Sequence, residues 1–153
     1  GGDDGGVSRR VLGYLLTWMA ERKAKVFTVA TANAVQELPA ELLRKGRFDE
    51  IFFVDLPGAK VREEILALHL SRRKLDPAGF DLPALSVASE GFSGAEIEQT
   101  IVSSLDDAAG SGTPPSQANL LHALQQTRPL SVLMREQVAA LRAWAQGRCV
   151  LAD

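Results

Sequence analysis

The sequence predicts an α/β segment followed by an all-α segment, and three observations carry that prediction. Two short apolar runs, Val26-Phe27-Thr28-Val29-Ala30 and Ile51-Phe52-Phe53-Val54, lack the polar alternation of a half-exposed strand. They suit strands covered on both faces, as in a parallel sheet flanked by helices. Beyond Leu56-Pro57-Gly58 the apolar residues recur only at helical spacing, which marks a boundary between two parts of the chain.

The elements follow in order. Gly-Gly-Asp-Asp-Gly-Gly at 1–6 offers no side chains to bury and is expected to be a mobile loop or a ragged end. Val11, Leu12, Leu15, Leu16 and Met19 then predict a helix from about Ser8 to Lys23 with one buried face. After the strand at 26–30, Pro39 suits the first turn of a short helix through Leu42 and Leu43, and Gly46 suits its end. The second strand, 51–54, comes next. Val61, Ile65 and Leu68, with Leu66 nearby, give the apolar stripe of a helix that Pro77 and Gly79 break. Asp81 or its neighbours can cap a shorter helix holding Leu82, Leu85 and Val87. Ser93-Gly94-Ala95-Glu96 reads as a capping box, with Ile97, Ile101 and Leu105 one turn apart behind it. Residues 110–116 read as a linker by composition. Leu120, Leu121 and Leu124 predict a further helix that Pro129 ends, and Met134, Val138, Leu141 and Ala145 a last one stopped by Gly147, with Trp144 on its flank.

Composition narrows the function classes. The net charge of −2 gives no field for nucleic acid or anionic lipid, and 6% aromatic content gives no base-stacking surface. The single cysteine, Cys149, excludes an intrachain disulfide, and no metal-ligand cluster stands in the sequence. No apolar run reaches the roughly 18 residues of a membrane span. A cytoplasmic, metal-free chain with neither nucleic-acid nor membrane partners is the expectation.

Asn33 lies just past the carboxyl end of the first expected strand, where open α/β sheets place ligand contacts, although an Asn there also serves to cap the turn. Arg44 and Arg47 flank Gly46 at a helix end, where cations also simply favour the dipole. Together, Ala30-Thr31-Ala32-Asn33, the stretch Leu42-Leu43-Arg44-Lys45-Gly46-Arg47-Phe48-Asp49-Glu50 and Val54-Asp55-Leu56-Pro57 resemble the second region of homology of AAA ATPases. Gly91-Phe92-Ser93-Gly94-Ala95-Glu96-Ile97 is similar to the start of the last major lid helix in that family, in the right order and separation. The resemblance covers about 7–109, and the tail from Leu120 resembles an uncharacterised AAA group of bacteria and plastids.

The resemblance implies the C-terminal half of a P-loop NTPase core with two short strands over 1–56, a helical lid over 57–109, and a linker with C-terminal helices over 110–153. It implies that Asn33 is the sensor-1 residue, and that Arg44 and Arg47 are arginine fingers reaching a neighbouring subunit's site. His69, Gly94 and Ala95 would lie against the nucleotide, although a histidine on an apolar helix face equally suits a hydrogen-bonded core position and the two small residues equally suit close helix packing. Lys45 stands where many relatives have Pro. No Gly-x-x-x-x-Gly-Lys-Ser/Thr and no apolar strand ending in Asp-Glu occurs in these residues. The expectation is therefore an ATP-hydrolysing, Mg²⁺-using, hexameric ring protein in intact form that remodels a protein partner. The chain alone is expected to be inactive, and to pair with its missing half or form a non-native dimer through unpaired strand edges. A non-catalytic AAA-like scaffold is the alternative.

Overall fold

The computed structural model describes residues 4–32, 34–35, 38–43 and 47–152, apart from the side chains of 4–9 and 111. The chain divides into two compact units, 1–53 with 147–151, and 54–146 with 152–153.

The first unit opens with helix α1, Asp4–Glu21, which begins earlier than its apolar pattern and takes up residues expected to be loose. Its stripe is not covered as expected. Met19 is buried, but Val11, Tyr14, Leu15 and Trp18 are exposed. After α1, Arg22 lies over the Trp18 ring, 5.4 Å from its centroid, and its Nη1 donates to the Val26 carbonyl at 2.9 Å and to Thr28 Oγ1 at 3.1 Å. The expected strand at 26–30 does not form: a strand is defined by its ladder, and this run finds no neighbouring strand among the described residues. Phe27 is 93% exposed. In place of the short helix, Leu42 N–H bonds the Pro39 carbonyl (3.0 Å) and Leu43 N–H that of Ala40 (3.2 Å), a pair of tight turns with Leu42 buried.

The second apolar run supplies strand β1, Phe52–Phe53. Its partner is β2, Val150–Leu151, in a parallel pair with Phe52 opposite Val150 and Phe53 opposite Leu151. Here the expectation of helices alone after Pro57 is corrected, because Val150 N–H reaches the Ile51 carbonyl at 2.9 Å and opens a ladder that two apolar residues continue.

The second unit is helical. It comprises α2 (Ala59–Arg72), a 3₁₀ turn at Pro77–Gly79, α3 (Leu82–Ala88), α4 (Gly94–Ser111), α5 (Gln117–Gln126), α6 (Leu130–Leu133) and α7 (Arg135–Ala145). Its core is Leu66, Leu70, Leu85, Phe92, Ile97, Ile101, Leu120 and Leu124, drawn from α2 to α5. Each such side chain contributes about 1.5–3 kcal/mol on burial. The stripe of α2 is rotated from the predicted one: Val61 and Leu68 are exposed, while Arg62, Leu66, His69 and Leu70 are buried. The reason is polar. Arg62 donates from Nε to the Ser86 carbonyl (3.1 Å) and from Nη1 to the Pro57 carbonyl (2.8 Å), so a charged residue takes a core-facing position with its donors satisfied.

Helix ends follow side-chain chemistry. Asp81 caps α3 by accepting from Ala84 N–H at 3.0 Å. Ser93 and Glu96 form the predicted box on α4, and Ser116 with Asn119 an unpredicted one on α5. Helix α4 continues through Gly110 and Ser111, beyond the expected linker boundary, and stops where Gly112 turns left-handed at φ 68°. Lys74 takes the same conformation at φ 61° after α2, with Leu75 N–H bonded back to Leu70 O at 3.1 Å.

Candidate functional site

The start of α4 is built from a short motif. Gly91 adopts φ +78°, and a Cβ there would lie 2.5 Å from Ser131 Oγ, so the position needs both left-handed backbone and the missing side chain. The turn sends Phe92 into the core, where it is 2% exposed, and presents Ser93 as the cap of α4. Ser93 Oγ accepts from Glu96 N–H, and Ile97 N–H begins the helical ladder on Ser93 O at 3.1 Å. The amides of Gly94 and Ala95 precede that ladder and project from the positive end of the helix.

The Glu96 carboxylate closes the box and does more. Its Oε2 accepts from Ser93 N–H and Ser93 Oγ–H, each at 2.8 Å, and its Oε1 accepts from Leu130 N–H at 2.7 Å. Burial pushes its pKa upward, but the bonds from the Ser93 amide, the Ser93 hydroxyl and the Leu130 amide outweigh it and hold the group below the usual carboxylate range.

Helices α2 and α4 meet in register. A Cβ on Gly94 would lie 3.6 Å from Ile65 Cδ1, and one turn further along both helices His69 Nδ1 is 3.3 Å from Glu98 Oε1. Residues 65 and 69 therefore run beside 94 and 98, and His69 lies about one helical pitch, roughly 5.4 Å, beyond Gly94. His69 is buried, and Arg73 joins it: Nη1 bonds the His69 carbonyl at 3.2 Å and faces His69 Nδ1 at 3.4 Å, while Nη2 bonds Glu98 Oε1 at 3.0 Å. Nδ1 thus faces an acceptor and a donor, and its proton decides which it engages. The Arg73 hydrogen bond, aided by the fields of His69, Arg73 and Arg72 against some desolvation, lowers the Glu98 pKa.

Of the six residues singled out in the sequence, His69, Gly94 and Ala95 come together along this α2–α4 seam. Arg47 belongs to the first unit, half-buried in a turn. Asn33 and Arg44 lie outside the described residues, as do Lys45 and Gly46.

Three features escaped the sequence. Arg62 pins the linker through the Pro57 carbonyl, and its only signal was a charge within an apolar pattern. Arg142 on α7 donates from Nε to Asp55 Oδ1 (3.0 Å) and Oδ2 (2.8 Å), with no local signal at all. The contact from Glu96 to Leu130 was equally hidden.

No three His, Cys, Asp or Glu side chains cluster to hold a metal among the described residues. No described helix is long and apolar enough to cross a membrane.

The profile of the AAA family, "ATPase family associated with various cellular activities", matches residues 1–56. The chain is 48% identical over 143 residues to the uncharacterised AAA domain-containing protein ycf46 of Pyropia yezoensis, covering 93% of this chain and 29% of that protein. It is 43% identical over 152 residues to the ycf46 protein of Trieres chinensis, with 98% and 31% covered. It is also 40% identical over 103 residues to the ATP-dependent zinc metalloprotease FtsH of Aster yellows witches'-broom phytoplasma, with 66% and 15% covered. The chain thus spans about three-tenths of the length of the ycf46 relatives.

Proposed function

The chain belongs to the AAA family of ATPases, and from that premise we infer that in the intact protein it supplies one wall of an ATP-hydrolysing site. The observation that carries this reading is the α2–α4 seam: a glycine and an alanine at a capped helix start, with two amides outside the ladder, and a histidine one turn along. Two unladdered N–H groups at a helix N-terminus suit the acceptor atoms of a nucleotide, and neither Gly94 nor Ala95 carries a side chain long enough to block its approach. His69 keeps Nδ1 on the Glu98–Arg73 pair, which orients the ring and leaves Nε2 for the ligand.

Asn33 acts in this reading as the sensor-1 residue, its neutral amide holding the attacking water and registering the γ-phosphate. Arg44 and Arg47 act as fingers that stabilise charge on the transferring phosphoryl group of a neighbouring subunit, so hydrolysis depends on ring assembly. ATP would be held by Gly94, Ala95 and His69 on this side only. The phosphate-gripping and magnesium-binding groups come from the rest of the intact protein in this reading, because neither a phosphate-loop motif nor an apolar strand ending in Asp-Glu occurs in these 153 residues. The chain alone accordingly does not hydrolyse ATP. Work on a protein partner is the output of the intact ring.

The test is ATP turnover by the full-length protein carrying Arg47→Ala. Fingers are worth about 10³ to 10⁵ in rate, so a loss of that order with assembly retained is expected. Unchanged turnover would overturn the assignment. Absence of any ATPase activity in the unsubstituted, assembled protein would favour the non-catalytic scaffold instead.

A further inference from the structure

One stretch of chain touches both the start of α4 and the linker that leads into the helical unit. At one end, Leu130, the first residue of α6, gives its N–H to Glu96 Oε1, and Ser131 packs over Gly91. At the other, Arg142 on α7 holds both oxygens of Asp55, two residues past the last residue of β1. Between them, Met134 N–H bonds Leu130 O at 2.7 Å and Val138 N–H bonds Met134 O at 3.0 Å, so α6 ends and α7 begins on one shared residue, Met134, at φ −116° and ψ 37°. The α7 part of this path, from 135 to 142, is about 10 Å long at about 1.5 Å per residue, and the four residues of α6 precede it.

We propose that α6–α7 is a strut that couples the start of α4 to the linker Asp55–Gly58 and so tunes turnover at the nucleotide site, a reading that rests on the site assigned above. The carboxylate that fixes the cap of α4 also fixes Leu130, so a displacement of Glu96 by ligand is a displacement of the first residue of the strut. Asp55 in turn accepts from Leu56 N–H at 2.7 Å, so the Arg142 grip sets linker backbone as well as a side chain. Arg62, reaching Pro57 from α2, is the firmer and more buried restraint on the same linker. Arg142 is the weaker partner, its side chain 50% exposed, and an exposed pair of this kind biases a conformation a fewfold without locking it. That strength suits a control element.

The test is a cycle of variants in the full-length protein, read by hydrogen exchange at the Leu56 amide without nucleotide. Arg142→Ala releases one end. Leu130→Pro releases the other by removing the donor, together with a leucine side chain that is 47% exposed: Pro129 is already extended (φ −66°, ψ 149°), as a residue before proline requires, and proline is tolerated at a first helical position. Arg142→Ala should speed Leu56 exchange roughly twofold to fivefold. Leu130→Pro should speed it at least about twofold alone and add nothing in the Arg142→Ala background, with the Ile101 amide unchanged throughout. No effect of Leu130→Pro at Leu56, or factors that simply multiply, overturns the strut. With ATP, both variants should change kcat in the same direction and by the same factor, and unchanged turnover in both overturns the link to the site. Failure of the intact protein to bind ATP would sink the assigned function instead, since the exchange cycle is decided without ligand.

Discussion

Replacing Glu96 by glutamine tests whether one carboxylate organises the start of α4. It accepts from Ser93 N–H, Ser93 Oγ–H and Leu130 N–H at 2.7–2.8 Å. Glutamine offers one carbonyl oxygen. If that oxygen keeps the Ser93 donors, the amide NH₂ faces Leu130 N–H, donor against donor. The lost bond costs about 1 kcal/mol, reduced by water because Leu130 is exposed, and the lost charge at a helix N-terminus costs about 0.3–1 kcal/mol. The expected loss is about 1–2 kcal/mol at pH 7. Its pH dependence has a defined sign. The folded-state pKa is depressed below 4.5, so the stabilisation is present in full above that value and is lost as pH falls through the folded pKa. Glu96 and glutamine should therefore converge in strong acid. Urea unfolding read from Trp144 emission, in a Trp18→Phe background, follows the helical unit and measures the difference at pH 7 and pH 3. An equal difference at both, or none at pH 7, refutes the reasoning.

Ile101→Ala empties a fully buried position and should cost about 2–5 kcal/mol in the same unfolding assay. Lys74→Gly should stabilise the chain by about 0.5–1 kcal/mol, because it relieves a left-handed lysine at the end of α2 at the expense of a freer unfolded state. Gly91→Ala should destabilise by at least about 1–2 kcal/mol, and adding Ser131→Gly should recover only the part due to the 2.5 Å clash, leaving the backbone strain. Ser116→Ala, removing the cap of α5, should cost about 1 kcal/mol, with helix content measured by circular dichroism falling on mild heating before that of the unsubstituted chain.

What could be read from the sequence was what acts over short distances along it. The Ser93–Glu96 box spans three residues and the Asp81 cap likewise, so local chemistry sufficed. Ile97, Ile101, Leu120 and Leu124 were visible because a helix that buries one face must repeat its apolar residues. The α2 stripe was misplaced because Arg62 buries its charge on carbonyls of Ser86 and Pro57, and a rule that sends arginine outward assigns that face to Val61 and Leu68. The strand at 26–30 was misread for a different reason. Strand propensity describes a surface that fits between neighbours, and Phe27 and Val29 have none among the described residues.

The site divides along the same line. Gly94 and Ala95 were singled out by a motif and His69 by its place in the resemblance, and the seam that joins them depends on α2 and α4 running in register, which local spacing does not encode. The strut lies wholly on the non-local side. Leu130 is 34 residues from Glu96, and Arg142 is 87 from Asp55. The donor in the first contact is a backbone amide, which every residue but proline carries, so no choice of side chain at 130 advertises it. Its one sequence requirement is negative: position 130 follows Pro129 at the start of a helix, where proline is tolerated, yet proline there would leave Glu96 Oε1 without its partner.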